Sequence, residues 1–412
     1  MTIPWKRGNA IRLLENGEEF FPAVLEAVAS AQHEVLIETF ILAEDAVGIE
    51  LKDALVAAAR RGATVTVTVD DYGSPSFSEG FLNDLKEAGI TLLVFDPQPR
   101  AFGMRTNLFR RLHRKLVVVD QKIGFIGGLN YSVDHLLKSG PLAKQDYAVE
   151  LRGPIVADLH EAMRNTLKPA ARRFRRRPVM KPSPAPVIDK AGDTTVALVV
   201  RDNDRHRDDI ERHYRMAIRL AQREIIIANA YFLPGYRMLR DLAKAARRGV
   251  HVQLILQGQP DMPWVRATTM FLYDYLLKEG VEIHEYCQRP LHGKVALIDD
   301  EWATVGSSNL DPLSLSMNLE ANVIVRDRAF TKLLRSRLVS LMNNHCKLAR
   351  PTRAPALRFW RLVAGSLLFH FLRRFPAWSG WLPAHRPALK PAAPTPTPVP
   401  VEHVQETNHE AV

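Results

Sequence analysis

Two stretches of this 412-residue chain carry the same reactive side chains at the same spacing. The first holds His113, Lys115 and Asp120, followed by Gly127-Gly128 and Asn130; the second holds His292, Lys294 and Asp299, followed by Gly306-Ser307 and Asn309. A histidine and a lysine two apart on a strand point to one face. Lysine is a compact cation suited to a phosphate oxygen. Asparagine adds a donor, and small residues let backbone N–H groups close on an anion. Histidine serves as a nucleophile or as a general acid and base near neutral pH. One such motif arises by chance in many chains; two copies, each with the same downstream glycine and asparagine, do not. The residue types predict two-step phosphoryl exchange, with one histidine supplied by each copy. Zinc is the competing use of paired histidines, but lysine suits such a cluster poorly and no Cys or carboxylate follows at ligand spacing. His284 and Cys287 form an isolated pair, read as core or surface.

The elements that must position these residues follow strand–helix–strand grammar. HEVLIETFIL reads as a strand buried on both faces, a helix over Leu51–Arg60 ends at Gly62, and TVTVTV alternates with period two. This predicts an α/β fold with a mostly parallel or mixed sheet. The grammar then returns: ARRG before TVTVTV matches ARRG before HVQLIL, and LHRKLVVVD matches LHGKVALID 179 residues later. Two similar tandem α/β domains are expected. The first carries 12 extra residues in a basic loop containing Arg100, Arg105, Arg110 and Arg111, read as a solvated loop or a phosphate clamp. The boundaries read as 1–170 and 196–345 for the domains, 171–195 for a basic Pro-rich linker, 346–390 for a basic aromatic tail and 391–412 for a disordered Pro-rich terminus.

Composition bounds the partners. At 46% hydrophobic and 25% charged the chain is globular, and two cysteines make no disulfide framework. Neither a signal peptide nor an apolar run long enough to span a bilayer is read. The net charge of +11 is local: Arg328 to Val401 holds 13 Lys/Arg and no acid, leaving 43 basic against 45 acidic residues elsewhere. Such a region suits anionic lipid or nucleic acid. The tail interleaves Phe359, Trp360, Phe371, Trp378 and Trp381 with arginines, a mixture that favours a lipid headgroup layer. No nucleic-acid partner is expected.

The doubled HxKx4Dx6G[GS]xN pattern resembles the phospholipase D superfamily. The surrounding stretches, from GNAIRLLENGEEFF to LHGKVALIDDEWATVGSSNLDPLSLSMNLEANV, resemble its bacterial cardiolipin synthases. That resemblance implies two phospholipase-D-like α/β domains related by a pseudo-two-fold axis around one cleft, with His113 as nucleophile and His292 as acid and base. Lys115, Lys294, Asn130 and Asn309 would orient the phosphoryl oxygens. Asp120 and Asp299, grouped with the catalytic set by the motif, are expected mainly to support it. The family's carboxylates reach across the dyad, which would pair Glu320 with His113 and Asp146 with His292. The implied reaction joins two phosphatidylglycerol molecules into cardiolipin and glycerol, without metal or organic cofactor. The setting would be the cytoplasmic side of a bacterial inner membrane, with the protein peripheral. A phospholipase D hydrolase, a related nuclease and a non-enzymatic lipid-binding scaffold are the alternatives.

Overall fold

The computed structural model describes residues 4–74, 76–97, 100–101, 104–105, 110–168, 189–258, 272–350, 367 and 387–393. The first half comprises β1 (Lys6–Glu15), α1 (Asn16–Ala29), β2 (Glu34–Thr39), α2 (Ala46–Arg60), β3 (Thr64–Asp70), α3 (Glu79–Glu87) and β4 (Thr91–Phe95). A small hairpin, β5 (Arg100–Ala101) and β6 (Met104–Arg105), precedes β7 (Leu116–Val119), β8 (Ile123–Gly127), β9 (Tyr147–Arg152) and α4 (Ile155–Leu167). The second half opens with β10 (Thr194–Arg201), α5 (Asp209–Leu220), β11 (Glu224–Asn229), α6 (Tyr236–Arg247), β12 (His251–Gln257) and β13 (Glu282–Tyr286). It continues through β14 (Lys294–Ile298), β15 (Trp302–Gly306), α7 (Pro312–Ser316), β16 (Glu320–Arg326), α8 (Arg328–His345) and β17 (Cys346–Leu348), and β18 (Leu389–Pro391) ends the described chain. Helix α2 begins five residues before the apolar run suggests. The Asp45 carboxylate caps it there, accepting from the N–H groups of Val47 and Gly48 at 3.0 and 3.2 Å.

Strand order makes the duplication explicit. One 16-stranded sheet runs β17-β13-β12-β11-β14-β15-β16-β10-β1-β9-β8-β7-β2-β3-β4-β18, which is the same eight-strand order read outward from the β1–β10 junction. Strands β2, β3 and β4 are parallel, as are β11, β12 and β13, while β7–β9 and β14–β16 are antiparallel. The sheet turns back on itself so that β8 and β9 pack against β15 and β16. Side chains from both halves, Val118, Tyr147 and Val149 with Val295, Val305 and Val323, share one buried cluster. Burying each such residue contributes about 1.5–3 kcal/mol, so the joint between halves is core rather than docking surface. Two outer clusters lie under α1–α3 and under α5–α6.

The chain's end departs from the expected boundaries. β17 pairs with β13 at one edge of the sheet, and β18 pairs with β4 at the other. Pairing continues through Ala392, whose N–H donates to Leu92 O at 3.0 Å, so the stretch read as disordered from 391 begins inside a sheet. Most of the linker and the aromatic tail, and the basic loop apart from Arg110 and Arg111, lie outside the described residues or their described side chains. Among the described residues no helix is long and apolar enough to cross a membrane.

Candidate active site

The two motifs sit where the halves meet, on extended runs feeding β7 and β14 rather than wholly inside strands. Each run is fixed by backbone bonds to the opposite half. His113 N–H donates to Leu319 O at 3.0 Å and Leu319 N–H to Arg111 O at 2.8 Å; His292 N–H donates to Gln145 O at 2.8 Å and Gln145 N–H to Pro290 O at 2.9 Å. Leu319 and Gln145 are the residues immediately before Glu320 and Asp146. The backbone bridge thus delivers a carboxylate from one half to the imidazole of the other. His113 Nδ1 lies 2.9 Å from Glu320 Oε1 and 3.1 Å from Oε2. His292 Nδ1 lies 2.5 Å from Asp146 Oδ2. With Nδ1 of each ring committed to a carboxylate, Nε2 is the nitrogen left to react. Both carboxylates are fully buried, while the rings remain partly open, at 12% and 17% exposure.

Behind the rings stand the lysines. Lys115 Nζ donates to His113 O at 2.8 Å, and Lys294 Nζ donates to His292 O. Both are buried, and burial pulls the Lys115 ammonium down to about 7 and that of Lys294 to about 8, against the pull of the nearby carboxylates. Burial likewise lowers His113, and lowers His292 further, with Lys294 and Lys144 adding to the effect on the second ring. The two carboxyls diverge. Burial works to raise Glu320, yet the His113 imidazole, Lys115 and the Ser307 hydroxyl together hold it below its usual value. Asp146 is raised by burial, which Lys294, His135 and the Tyr147 N–H offset only in part.

The remaining motif residues divide by position. Asn130 Oδ1 accepts from Ile41 N–H at 3.2 Å, holding the end of the β2 run, whereas the buried Asn309 Oδ1 has no partner among the described residues. Asp120 and Asp299 do not join the cluster of rings and lysines. Asp120 accepts the N–H groups of Gln32, His33 and Glu34, each at 2.8 Å. Asp299 accepts those of Gln222, Arg223 and Glu224 at 3.0, 2.8 and 3.0 Å. Each sits at positive φ in the turn after its strand, 50° and 52°, and ties that turn to the start of β2 or β11. Their oxygens are committed to backbone N–H groups at the far end of each strand from the imidazoles.

Three contacts escaped the motif reading. Ser307 Oγ donates to Glu320 Oε2 at 2.5 Å. Gly128 holds the equivalent place in the first copy, and a Cβ there would lie 2.3 Å from Asp146 Oδ1. The glycine-for-serine difference in the two motifs was visible, but not the carboxylate it accommodates. His135 is fully buried beside Asp146, its Nδ1 3.9 Å from Oδ2, with its ring edge-on to His292 at 5.5 Å between centroids. His135, Asp146 and His292 also offer three ligand atoms within 4.8 Å of one another, the one such group among the described residues. The Asn130 N–H donates to His135 Nε2 at 3.2 Å, so the proton resides on Nδ1, and that ring presents a donor rather than a lone pair to the space. His284 lies 3.3 Å from Glu282, and Cys287 donates to Glu285 O.

Comparison with known proteins identifies the family and the fold. The family described as "Cardiolipin synthase, PLD-like domain" matches residues 24–164 and 214–342, once in each half. Cardiolipin synthase B of Shigella flexneri and that of Escherichia coli (strain K12) are each 55% identical over 401 residues, spanning 96% of either chain. The protein of that name from Salmonella typhimurium is 52% identical, spanning 97% of this chain and 96% of its own. The crystal structure of phosphatidylserine synthase from Haemophilus influenzae has a similar fold, with a TM-score of 0.65 over 92% of this chain and 97% of that one, at 13% identity. Matched in both halves and along nearly its whole length, the chain belongs to the phospholipase-D-like cardiolipin synthase family.

Proposed function

We propose that the protein is a peripheral membrane phosphatidyltransferase that condenses two phosphatidylglycerol molecules into cardiolipin and glycerol. The observation that carries this reading is the crossed pairing of two partly open imidazoles with buried carboxylates, over two buried lysines. His113 Nε2 attacks the donor phosphorus, forming a P–N bond as the P–O bond to glycerol breaks. His292 gives its proton to the departing glycerol oxygen. The hydroxyl of a second phosphatidylglycerol then loses its proton to His292 Nε2 and attacks the same phosphorus, releasing His113. Atoms and charge balance without a cofactor. Lys115 and Lys294 meet the phosphoryl oxygens, and the anion in turn favours their charged forms. Glu320 supports the cationic phosphatidyl-imidazole; Asp146 orients the acid. Water in place of the second lipid would give a hydrolase.

The curated relatives' name supports the lipid substrate. The basic aromatic composition of 346–390 supports residence at an anionic membrane surface, on the cytoplasmic side. Mass spectrometry of phosphatidylglycerol vesicles incubated with purified protein tests the reaction: cardiolipin and glycerol should appear in equal amounts. Phosphatidic acid as sole product would make it a hydrolase, and cleavage of nucleic acid with no lipid turnover would make it a nuclease. The membrane contact is tested without removing β18. Changing Arg358, Arg361, Arg373 and Arg374 to glutamine should release the protein from anionic vesicles at moderate salt, while turnover on detergent-dispersed lipid persists. Undiminished vesicle binding would refute the surface assignment.

A further inference from the structure

The halves match in strand order, but the surroundings of their carboxylates do not. Five residues after the motif asparagine the first half has His135 and the second has Ser314. Ser314 N–H donates to the Asp311 carboxylate at 3.1 Å and belongs to the α7 cap. His135 ends a single 3₁₀ turn, Val133–His135, pinned by the Val133 N–H donating to Asp45 Oδ2 at 2.8 Å. Its ring is fully buried, and Nδ1 has no hydrogen-bond partner among the described residues. Because Nε2 accepts from the Asn130 N–H, Nδ1 bears hydrogen, and Asp146 Oδ2 lies 3.9 Å away. A buried N–H without an acceptor is costly, and the fold places this one next to the oxygen that serves His292.

We propose that His135 is a positioning residue for the reaction: its Nδ1–H is a second donor to Asp146, aligning Oδ2 with His292 and thereby the acid and base half of the dyad. The inference rests on the assignment of His292 as acid and base. A small closure of the 3.9 Å gap completes the bond when Oδ2 carries the most negative charge, as His292 gives up its proton. The tautomer is set by the Asn130 N–H, itself in the phosphate-side motif, so the motif's own backbone fixes what the second imidazole presents. Glu320 has no counterpart, because Ser307 fills that role with a hydroxyl.

Two substitutions separate the two ring nitrogens. His135→Asn keeps an N–H near the place of Nδ1, and His135→Gln keeps an acceptor near the place of Nε2. Each full-length variant is compared by thermal melt and by two single-turnover reactions. One is glycerol release from phosphatidylglycerol, which needs an acid. The other is the burst from phosphatidyl-p-nitrophenol, whose phenolate leaves without a proton. General acids are worth about 10²–10⁴-fold, and misalignment should forfeit about 10- to 100-fold of glycerol release in His135→Gln. The burst should change by much less, and His135→Asn should recover most of the loss. Equal loss on both substrates without rescue by Asn would make His135 a packing residue and overturn the proposal, as would no loss on either. Equal loss with rescue would make His292 the nucleophile and overturn the acid-and-base role stated here, leaving His135 to position the nucleophile instead. A measurement on the unaltered protein stands independently of variant folding. Nitrogen-15 histidine spectra should show His135 as the Nδ1–H tautomer; an Nε2–H tautomer would overturn the proposal.

Discussion

Glu320 meets His113 with a serine hydroxyl bound to it, whereas Asp146 meets His292 with a glycine on one side and a second imidazole on the other. The two sites share backbone bridges, lysine placement and carboxylate burial, so pseudo-symmetry fixes where groups stand. What distinguishes them is the company each carboxylate keeps. Glu320, held below its usual value, remains anionic and suits a ring that becomes positively charged when phosphorylated. Asp146, raised by burial, competes more evenly for protons and suits a ring that must give and take one. A duplicated fold can thus divide two roles by changing neighbours while retaining the reacting groups.

The largest effects should come from the imidazole–carboxylate pairs themselves. His113→Ala should form no lipid–protein adduct, whereas the wild type, quenched during turnover, should carry adduct on His113. An adduct on His292 would exchange the roles. Glu320→Gln keeps shape but removes the charge facing His113, so formation of the covalent intermediate should slow. Asp146→Asn should slow glycerol departure and acceptor activation instead. Loss of the orienting carboxylate in a catalytic triad costs about 10⁴-fold, an upper bound here because both rings are partly open. Single-turnover kinetics with each variant separate the steps, and matching step profiles would break the asymmetry argument.

Exchanging neighbours sharpens the comparison at smaller scale. Gly128→Ser would put a Cβ 2.3 Å from Asp146 Oδ1, displacing the carboxylate, and should cost well over tenfold in turnover. Ser307→Gly removes one donor from Glu320, whose second contact, with His113, survives. Hydrogen bonds to charged groups contribute about 1.5–3 kcal/mol, so a loss of about 10- to 100-fold is expected there, confined to the first step. The lysines give a gentler, shared dependence. Both are charged below their lowered values of about 7 and about 8 and lose charge as pH rises through them. KM for anionic lipid should therefore climb between pH 7 and 9, more steeply than kcat falls, because bound phosphate restores the ammonium. A flat KM across that range would remove the lysines from phosphate binding.

Much of this arrangement was legible in the chain. The duplicated motif and the offset between halves anticipated two like domains, and the crossed pairing that the family resemblance implied has its counterpart in the contacts of Glu320 with His113 and of Asp146 with His292. His135 was not legible, because nothing in its spacing marks it: it reaches Asp146 only through a 3₁₀ turn pinned by Asp45. The charge reading was half informative for a related reason. Three arginines of the acid-free stretch, Arg328, Arg335 and Arg337, find acids elsewhere in the fold, at Glu301, at Glu224 and Asp300, and at Glu15 and Glu19. Charge counted along a sequence does not see partners brought by β-sheet topology. The β18 pairing was hidden likewise, since three residues amid prolines carry no strand period.

The smallest effect on catalysis is expected where the motif is most often counted as catalytic. Asp120 and Asp299 each accept three backbone N–H groups across the turn-to-strand junction. Burial opposes the Asp120 charge, but those N–H groups hold its carboxyl below 3.8, so its contribution to stability is present above that value and lost as pH falls through the lowered one. Removing a cap of this kind costs about 0.5–2 kcal/mol. Asp120→Ala and Asp299→Ala should each lower Tm by a few degrees, the loss in Asp120→Ala shrinking on acidification. Asp120→Asn, which keeps one oxygen, should lose less. Rates per folded molecule should remain near wild type well below the melt, since β7 and β14 are still held by β2 and β11 on one side and β8 and β15 on the other. A variant with unchanged Tm and abolished turnover would return these aspartates to the reacting centre and force a different path for the proton.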